Sequence, residues 1–178
     1  LRWRYDTARN EAVKLLAALG EPAVPRLLRT IESAETAVER RAAADTLGLM
    51  DRRTEVRALI RSLGDANMVV RRAASLALLR IHAKEAVGPI ACLLRDESGG
   101  VRVLAAQVLG KFRDPAAVPA LLTALRDEKW YVRQAAATAL GEVRDVRALA
   151  ALIRAKRDPR PAVADAARRS IEALIGSR

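Results

Sequence analysis

The chain repeats itself at an interval of 31 residues. Five positions set the register of the copies: Glu39, Val70, Val101, Val132 and Val163. Alanine follows four residues later in every copy, and leucine or isoleucine follows eight residues later. Residues at these spacings lie on one face of an α-helix. The repeat therefore predicts a series of equivalent helices, each with a buried stripe that contains a small residue.

A second, shorter apolar pattern fills the rest of each copy, as in Val118, Leu121, Leu122 and Leu125. Only 3% of the 178 residues are aromatic, so Ala, Leu, Val and Ile must form the core. A helical hairpin with one apolar side cannot bury that side alone, but it can when hairpins stack. We therefore predict an all-α fold of the α-solenoid type, in one domain over residues 1–178. Its parts are an N-terminal helix at 2–20 and repeats at about 21–50, 51–82, 83–113, 114–144 and 145–178.

Glycine, aspartate and arginine also recur in register with the repeat. We expect Gly48, Gly110 and Gly141 to end the longer helices, because glycine reaches the left-handed conformation at low cost. The aspartates are expected to cap the helices that follow them, and the arginines to pair with an aspartate of the adjacent repeat. The alternative for the arginines is a basic stripe that binds phosphate. The two series are Asp65, Asp96, Asp127 and Asp158, and Arg40, Arg71, Arg102 and Arg133.

Two segments carry a family resemblance. The run 101–110, VRVLAAQVLG, and the run 130–136, WYVRQAA, resemble the core of short HEAT-like repeats of the phycobilisome-lyase type. The segment 114–122, DPAAVPALL, is similar to the shorter helix of such repeats. The resemblance implies a right-handed superhelix of about five stacked antiparallel hairpins. It also implies that the second helix of each hairpin lines a concave surface.

That implication selects the candidate partner-binding residues. Exposed positions of the second helices mix basic, polar and apolar side chains, which favours a protein or peptide groove over a uniform phosphate track. The alternative is an ordinary solvated face. The candidates are Arg41, Arg72, Leu76, Arg80, Val103, Gln107, Lys111, Gln134 and Thr138.

Two secondary candidates stand outside this surface. Trp130 and Tyr131 begin a helix, where they either form a binding hot spot or fill the turn between repeats. Arg154 and Arg157 belong to a basic run on a first helix and its flanking turns. This run is either a solvated face or a contact for an acidic partner.

The net charge of +11 raises nucleic-acid binding as an alternative function. The excess is spread along the chain, however, and diffuse charge serves mainly solubility. HEAT-like alkylpurine DNA glycosylases are a precedent, but their catalytic residues match no position here. A second alternative, implied by the resemblance, is a bilin lyase-like subunit that pairs with another subunit and handles a pigment-bearing protein.

The sequence offers few residues that could form a catalytic or cofactor-binding site. His82 is the one histidine and Cys92 the one cysteine, so neither a metal-ligand set nor a nucleophile–base triad can be assembled. We predict no catalysis, no cofactor and no metal. Without a second cysteine, a charged-then-apolar leader or a membrane-spanning run, we expect a cytoplasmic protein, taken as a monomer.

Two further expectations concern departures from the pattern. The repeat around His82 has Leu79 in place of glycine and lacks the usual aspartate after it, which predicts a longer helix or an altered turn. Ala164 and Arg168 replace the recurrent arginine and small residue in the last copy. This replacement predicts that no further repeat stacks beyond it.

Overall fold

The computed structural model describes residues 18–50 and 55–176, together with Val13 and Leu15. Most of the predicted N-terminal helix at 2–20 lies outside the described residues; within it, Val13, Leu15, Ala18 and Leu19 are helical.

Within these ranges the chain forms ten α-helices and no strand, which confirms the all-α prediction. Odd-numbered helices are the first helices of the hairpins, and the longer even-numbered ones are the second helices. The helices are α1 (Val24–Ser33), α2 (Ala37–Leu49), α3 (Val56–Ser62), α4 (Met68–Arg80), α5 (Val87–Cys92), α6 (Gly99–Phe112), α7 (Val118–Ala124), α8 (Trp130–Val143), α9 (Leu149–Ala155) and α10 (Pro161–Ile175). Single 3₁₀ turns flank the first helices at Glu21–Ala23, Lys84–Ala86, Leu93–Arg95, Pro115–Ala117 and Val146–Ala148.

The packing of the chain divides it into two compact units. The first unit, residues 1–83, contains α1 to α4, and α2 packs along α4. The second unit, residues 84–178, contains α5 to α10, and its second helices α6, α8 and α10 pack side by side. Each first helix of the second unit packs against the second helix of its own hairpin. The prediction of one domain over the whole chain stays a prediction.

The buried stripe follows the 31-residue register. Every alanine of the stripe is at most 1% exposed, and the leucines Leu47, Leu78, Leu109 and Leu140 are fully buried. The register positions at both extremes differ, since Glu39 is exposed and Ile171 is half-buried. Burying a leucine stabilises the fold by about 1.5–3 kcal/mol, so the repeated positions supply much of the driving force.

The recurrent glycines have a different role from the one predicted. Gly48, Gly110 and Gly141 lie inside α2, α6 and α8 and do not end them. A Cβ atom at Gly110 would lie 2.9 Å from Cα of Ala139 on α8, which is closer than atoms in contact can come. These glycines therefore let neighbouring second helices approach each other, and their predicted role as helix ends was wrong.

Among the described residues other than glycine, His82, Arg113 and Arg144 have a positive φ, of 50°, 53° and 59°. They occupy one register position, directly after the residue that ends the buried stripe. The repeat around His82 therefore keeps the left-handed turn residue of the others, and α4 is shorter than α6 and α8. Of the two alternatives expected there, the longer helix was wrong. The turn differs in that Ala83 stands where Asp114 and Asp145 bind a backbone amide in the other repeats.

No helix in the described part of the chain has both the length and the apolar character needed to cross a bilayer.

Candidate partner-binding surfaces

The recurrent arginines bind the recurrent aspartates. In three pairs, Nε of the arginine donates to Oδ2 of an aspartate 25 residues later, over 2.7 Å, 2.8 Å and 2.7 Å. A second bond joins Nη2 to Oδ1 over 3.0–3.1 Å. The pairs are Arg40–Asp65, Arg102–Asp127 and Arg133–Asp158.

The remaining nitrogen of each arginine is also used. Nη1 of Arg102 donates to the backbone oxygens of Asp96 and Glu97, over 2.8 Å and 3.3 Å. Nη1 of Arg133 makes the equivalent bonds to Asp127 and Glu128. A guanidinium held in this way has four of its five N–H donors bonded, so it cannot offer a free fork of two donors to phosphate. The structural interpretation is confirmed for Arg40, Arg102 and Arg133. For Arg71, Nη1 donates to the backbone oxygens of Asp65 and Ala66 over 2.9 Å and 3.0 Å.

The aspartate side chains accept hydrogen bonds from backbone amides of the turn, and not from those of the helix that follows. Oδ1 of Asp127 accepts the amide of Lys129 over 2.8 Å, and Oδ1 of Asp158 accepts that of Arg160 over 2.9 Å. Both amides belong to the residue before the helix, so the predicted cap is instead an Asx turn. Hydrogen bonds from Arg133 lower the pKa of Asp158, as those from Arg40 lower the pKa of Asp65.

The predicted partner-binding residues lie on the surface of the second helices. In the first unit, Arg72, Leu76 and Arg80 are exposed on α4 and Arg41 is half-buried on α2. In the second unit the predicted residues form what we call the second-helix face. It consists of Val103, Gln107 and Lys111 on α6 and Gln134 and Thr138 on α8.

Part of the charge predicted for these surfaces is neutralised. Lys111 Nζ lies 2.6 Å from Oε1 of Glu142, which joins α6 to α8. On α2, Arg41 lies 3.5 Å from Asp45. Gln107 and Thr138 are exposed, and Val103 and Gln134 are half-buried. The second-helix face is therefore mainly polar and close to neutral.

Trp130 and Tyr131 each contact a neighbouring repeat. The guanidinium of Arg160 lies 5.8 Å from the centre of the Trp130 ring, within the range of a cation–π contact. The Tyr131 ring lies against Gly99 of the preceding repeat. The two rings also meet edge to face at 5.8 Å. These contacts agree with the interpretation that the pair fills turns between repeats, although each ring stays more than one third exposed.

Arg154 and Arg157, the other secondary candidates, line a groove of about 470 Å³ between α7 and α9. Arg126 lines the same groove, and the sequence analysis missed it. The signal was present, because Arg95, Arg126 and Arg157 recur at intervals of 31 residues. We call this the basic groove and define it by six residues. They are Arg126, Arg154 and Arg157, with Leu122, Leu125 and Ala151.

The described residues do not assemble a catalytic or metal-binding cluster. No three His, Cys, Asp or Glu side chains among them lie close enough together to hold a metal ion. His82 and Cys92 are both exposed, and Cys92 Sγ donates to the backbone oxygen of Gly88 over 3.6 Å. The carboxyl groups with lowered pKa values are those bound by arginine. The absence of catalysis stays a prediction.

Residues 86–172 match the family of HEAT repeats. No curated protein matches the chain. Among solved structures, the complex of CpcE and CpcF of phycocyanin lyase from Nostoc sp. PCC7120 is similar, with 25% identity and a TM-score of 0.72. That match covers 84% of this chain and 64% of the other, so this chain spans less than two thirds of its length.

Two further structures share the fold at lower identity. A designed armadillo repeat protein in complex with the peptide (KR)4 has 17% identity and a TM-score of 0.65, over 97% of this chain and 94% of that one. Human deoxyhypusine hydroxylase in complex with glycerol has 20% identity and a TM-score of 0.55, over 94% and 79%. Helical repeats of this kind therefore occur in binding proteins and in enzymes alike.

Proposed function

We propose that this chain, which carries HEAT repeats over residues 86–172, is a non-catalytic scaffold that binds a protein partner through the second-helix face. The proposal rests on a difference between the side chains that are the same in every repeat and those that vary from one repeat to the next. Residues repeated in register pack the core or join one repeat to the next. Equivalent surface positions of α6 and α8 differ instead. The half-buried pair is Val103 and Gln134, and the exposed pair is Gln107 and Thr138.

The composition of the second-helix face supports a protein partner. An interface between proteins mixes apolar contact with hydrogen-bonding groups and carries few charges at its centre. Val103 supplies apolar area, Gln107 and Gln134 supply amides, and the Lys111–Glu142 pair cancels its own charge. A neutral face of this kind gives little attraction to phosphate, so nucleic acid is the weaker alternative here.

Peptide binding by the same fold gives further support. The designed armadillo repeat protein is in complex with a basic peptide. Because this chain has a net charge of +11, its own partner is expected to differ in charge from that peptide.

The experiment compares two double variants as bait for partner capture, with bound proteins quantified by mass spectrometry. Gln107→Arg with Thr138→Arg places two long cations on the second-helix face. Ala116→Arg with Val146→Arg adds the same charge at exposed positions in the turns before α7 and α9. For a partner that binds the second-helix face, the captured amount should fall at least tenfold with the first variant and stay unchanged with the second. Equal retention by both variants would rule this surface out.

A second candidate function is a subunit of a lyase-like complex. Its support is the similarity to the CpcE–CpcF complex of phycocyanin lyase. In that case the partner is another repeat chain, and the pair acts on a pigment-bearing protein. Co-expression of the chain with a second repeat subunit, a bilin and phycocyanin tests it by absorbance of the product. No pigment attachment above the level without this chain would dispose of the candidate.

A further inference from the structure

We propose that the basic groove between α7 and α9 binds an acidic peptide whose carboxylates recur at every third residue. The proposal concerns a different surface from the second-helix face and does not depend on it.

The cations of the groove are available. Arg126, Arg154 and Arg157 are exposed, and none of them forms an ion pair with another described residue. The other charged residues that line the groove are already bound: Asp158 by Arg133 and Arg147 by Asp145. The groove therefore presents three free guanidinium groups and no free carboxylate. Guanidinium forks bind carboxylates through two parallel hydrogen bonds, so a carboxylate ligand suits them.

The spacing of the arginines selects the conformation of the peptide. Arg126 and Arg157 occupy the same position of successive repeats, and Arg95 occupies it one repeat earlier. The second helices of these repeats pack side by side, and packed helices lie about 8–10 Å apart, so the repeats and this position recur at about that distance. A peptide in the polyproline II conformation rises about 3.1 Å per residue and turns once in three residues. Its every third side chain therefore points the same way about 9 Å further on, which matches the arginines.

The floor of the groove favours a peptide over a nucleic acid. Leu122, Leu125, Ala151 and Ala155 supply apolar surface, and no aromatic residue lines the groove. Single-stranded nucleic acids bind by stacking their bases on aromatic rings along a basic track. Small apolar side chains between the carboxylates of a peptide would instead contact this floor.

The neighbouring groove between α5 and α7 shows what distinguishes the basic one. It is larger, about 830 Å³, and Arg95 and Arg126 line it. It is also lined by three carboxylates, Asp96, Asp127 and Glu128, of which Asp127 is bound by Arg102. The Glu128 side chain is 74% exposed and opposes an anionic ligand there. The one carboxylate of the basic groove is bound by Arg133, so the basic groove is the principal site and Arg95 extends it by one contact.

The test measures fluorescence anisotropy of labelled synthetic peptides with the full chain at low salt. One peptide of about twelve residues repeats the triplet Asp-Pro-Ala, which favours polyproline II. A second has the same composition with its aspartates adjacent, and a single-stranded oligonucleotide of similar charge serves as the competing class of ligand. We expect the triplet peptide to bind about tenfold more tightly than the clustered one and more tightly than the oligonucleotide.

Matched variants distinguish binding in the basic groove from general attraction to the positive charge of the chain. Arg126→Glu with Arg157→Glu should weaken binding of the triplet peptide at least tenfold. Arg113→Glu with Arg144→Glu changes the net charge equally in the turns at the opposite ends of the hairpins, and should weaken it less than threefold. Equal losses, equal affinities for the two peptides, or tighter binding of the oligonucleotide would each overturn the proposal. The double variant of the second-helix face should leave peptide binding unchanged, so the two proposals fail separately.

Discussion

Arg102 and Asp127, 25 residues apart in the sequence, are joined by two parallel hydrogen bonds, from Nε to Oδ2 over 2.8 Å and from Nη2 to Oδ1 over 3.0 Å. Their side chains are only 10% and 11% exposed. Because the same guanidinium also donates to the backbone oxygen of Asp96, one side chain holds two successive loops together. The contact is therefore a joint between repeats rather than a surface ion pair.

Arg102→Ala should lower the free energy of unfolding by about 2–3 kcal/mol, because the Asp127 carboxylate and the loop carbonyls lose their donors together. Arg102→Lys should restore only part of the loss, since an ammonium group cannot form the two parallel bonds. Urea denaturation followed by circular dichroism measures both. Arg126→Ala, at an exposed arginine without an ion pair, is the control and should change stability by less than about 0.5 kcal/mol. A loss of equal size in the control would contradict the assignment.

Stability should fall in acid partly through Asp158. Hydrogen bonds from Arg133 hold the pKa of this carboxyl below its ordinary value of 3.8 in the folded protein. In the unfolded chain the pKa returns to that value, so the pair stabilises the fold above about pH 4. The contribution is lost as the pH falls through the folded-state pKa. The difference in unfolding free energy between wild type and Asp158→Asn should therefore shrink between about pH 5 and pH 2. A difference that stays constant over this range would contradict the prediction.

Gly110→Ala should destabilise the fold although alanine is the better helix former. The new Cβ atom would lie 2.9 Å from Cα of Ala139, so α6 and α8 would have to move apart. Overpacking of this kind costs about 1–3 kcal/mol, which exceeds the gain in helix propensity of about 1 kcal/mol. Gly88→Ala is the matched control, because nothing lies within 4 Å of a Cβ atom there. Thermal melting should rank the proteins Gly88→Ala, wild type, Gly110→Ala, from most to least stable.

Arg144→Gly should stabilise the fold. Arg144 has φ of 59°, a left-handed conformation that costs a residue with a Cβ atom about 1 kcal/mol. Arg154→Gly, the same substitution inside α9, should destabilise by about 1 kcal/mol because glycine is a poor helix former. Opposite signs for the two variants in chemical denaturation would confirm that the conformation, and not the loss of an arginine, decides the effect.

The sequence predicts the helices, their register and the arginine–aspartate pairs well, because these depend on spacing alone. A residue of the stripe such as Leu109 needs only the helical period and the 31-residue repeat to be placed in the core. The pair Arg102–Asp127 follows because opposite charges recur in step. Features that depend on the distance between backbones are harder to predict. Gly110 near the end of its helix fits both a terminating residue and a close contact, and only the packing against Ala139 distinguishes them.

The candidate surfaces were predicted less completely. Exposure of Gln107 and Thr138 follows from their helical offsets, whereas the neutralisation of Lys111 by Glu142 requires two repeats to be considered together. The two residues are 31 positions apart, so the pairing could have been found in the sequence. The role of Arg126 is not evident from the charge along the chain, because its relation to Arg157 appears only when residues are compared by position within the repeat.

The two residues of each arginine–aspartate pair are synthesised at different times, the arginine first. During synthesis Arg102 leaves the ribosome 25 residues before Asp127, a delay of roughly one to five seconds at about 5–20 residues per second. In that interval the newest repeat has only its own loop carbonyls for the guanidinium. Asp127 is the next aspartate of the recurrent series to be synthesised. Arg133 follows, and its partner Asp158 is synthesised 25 residues later. While the segments from Arg102 to Asp127 and from Arg133 to Asp158 are being made, the second unit carries one arginine without its carboxylate, and the joints close in the order in which the chain is made.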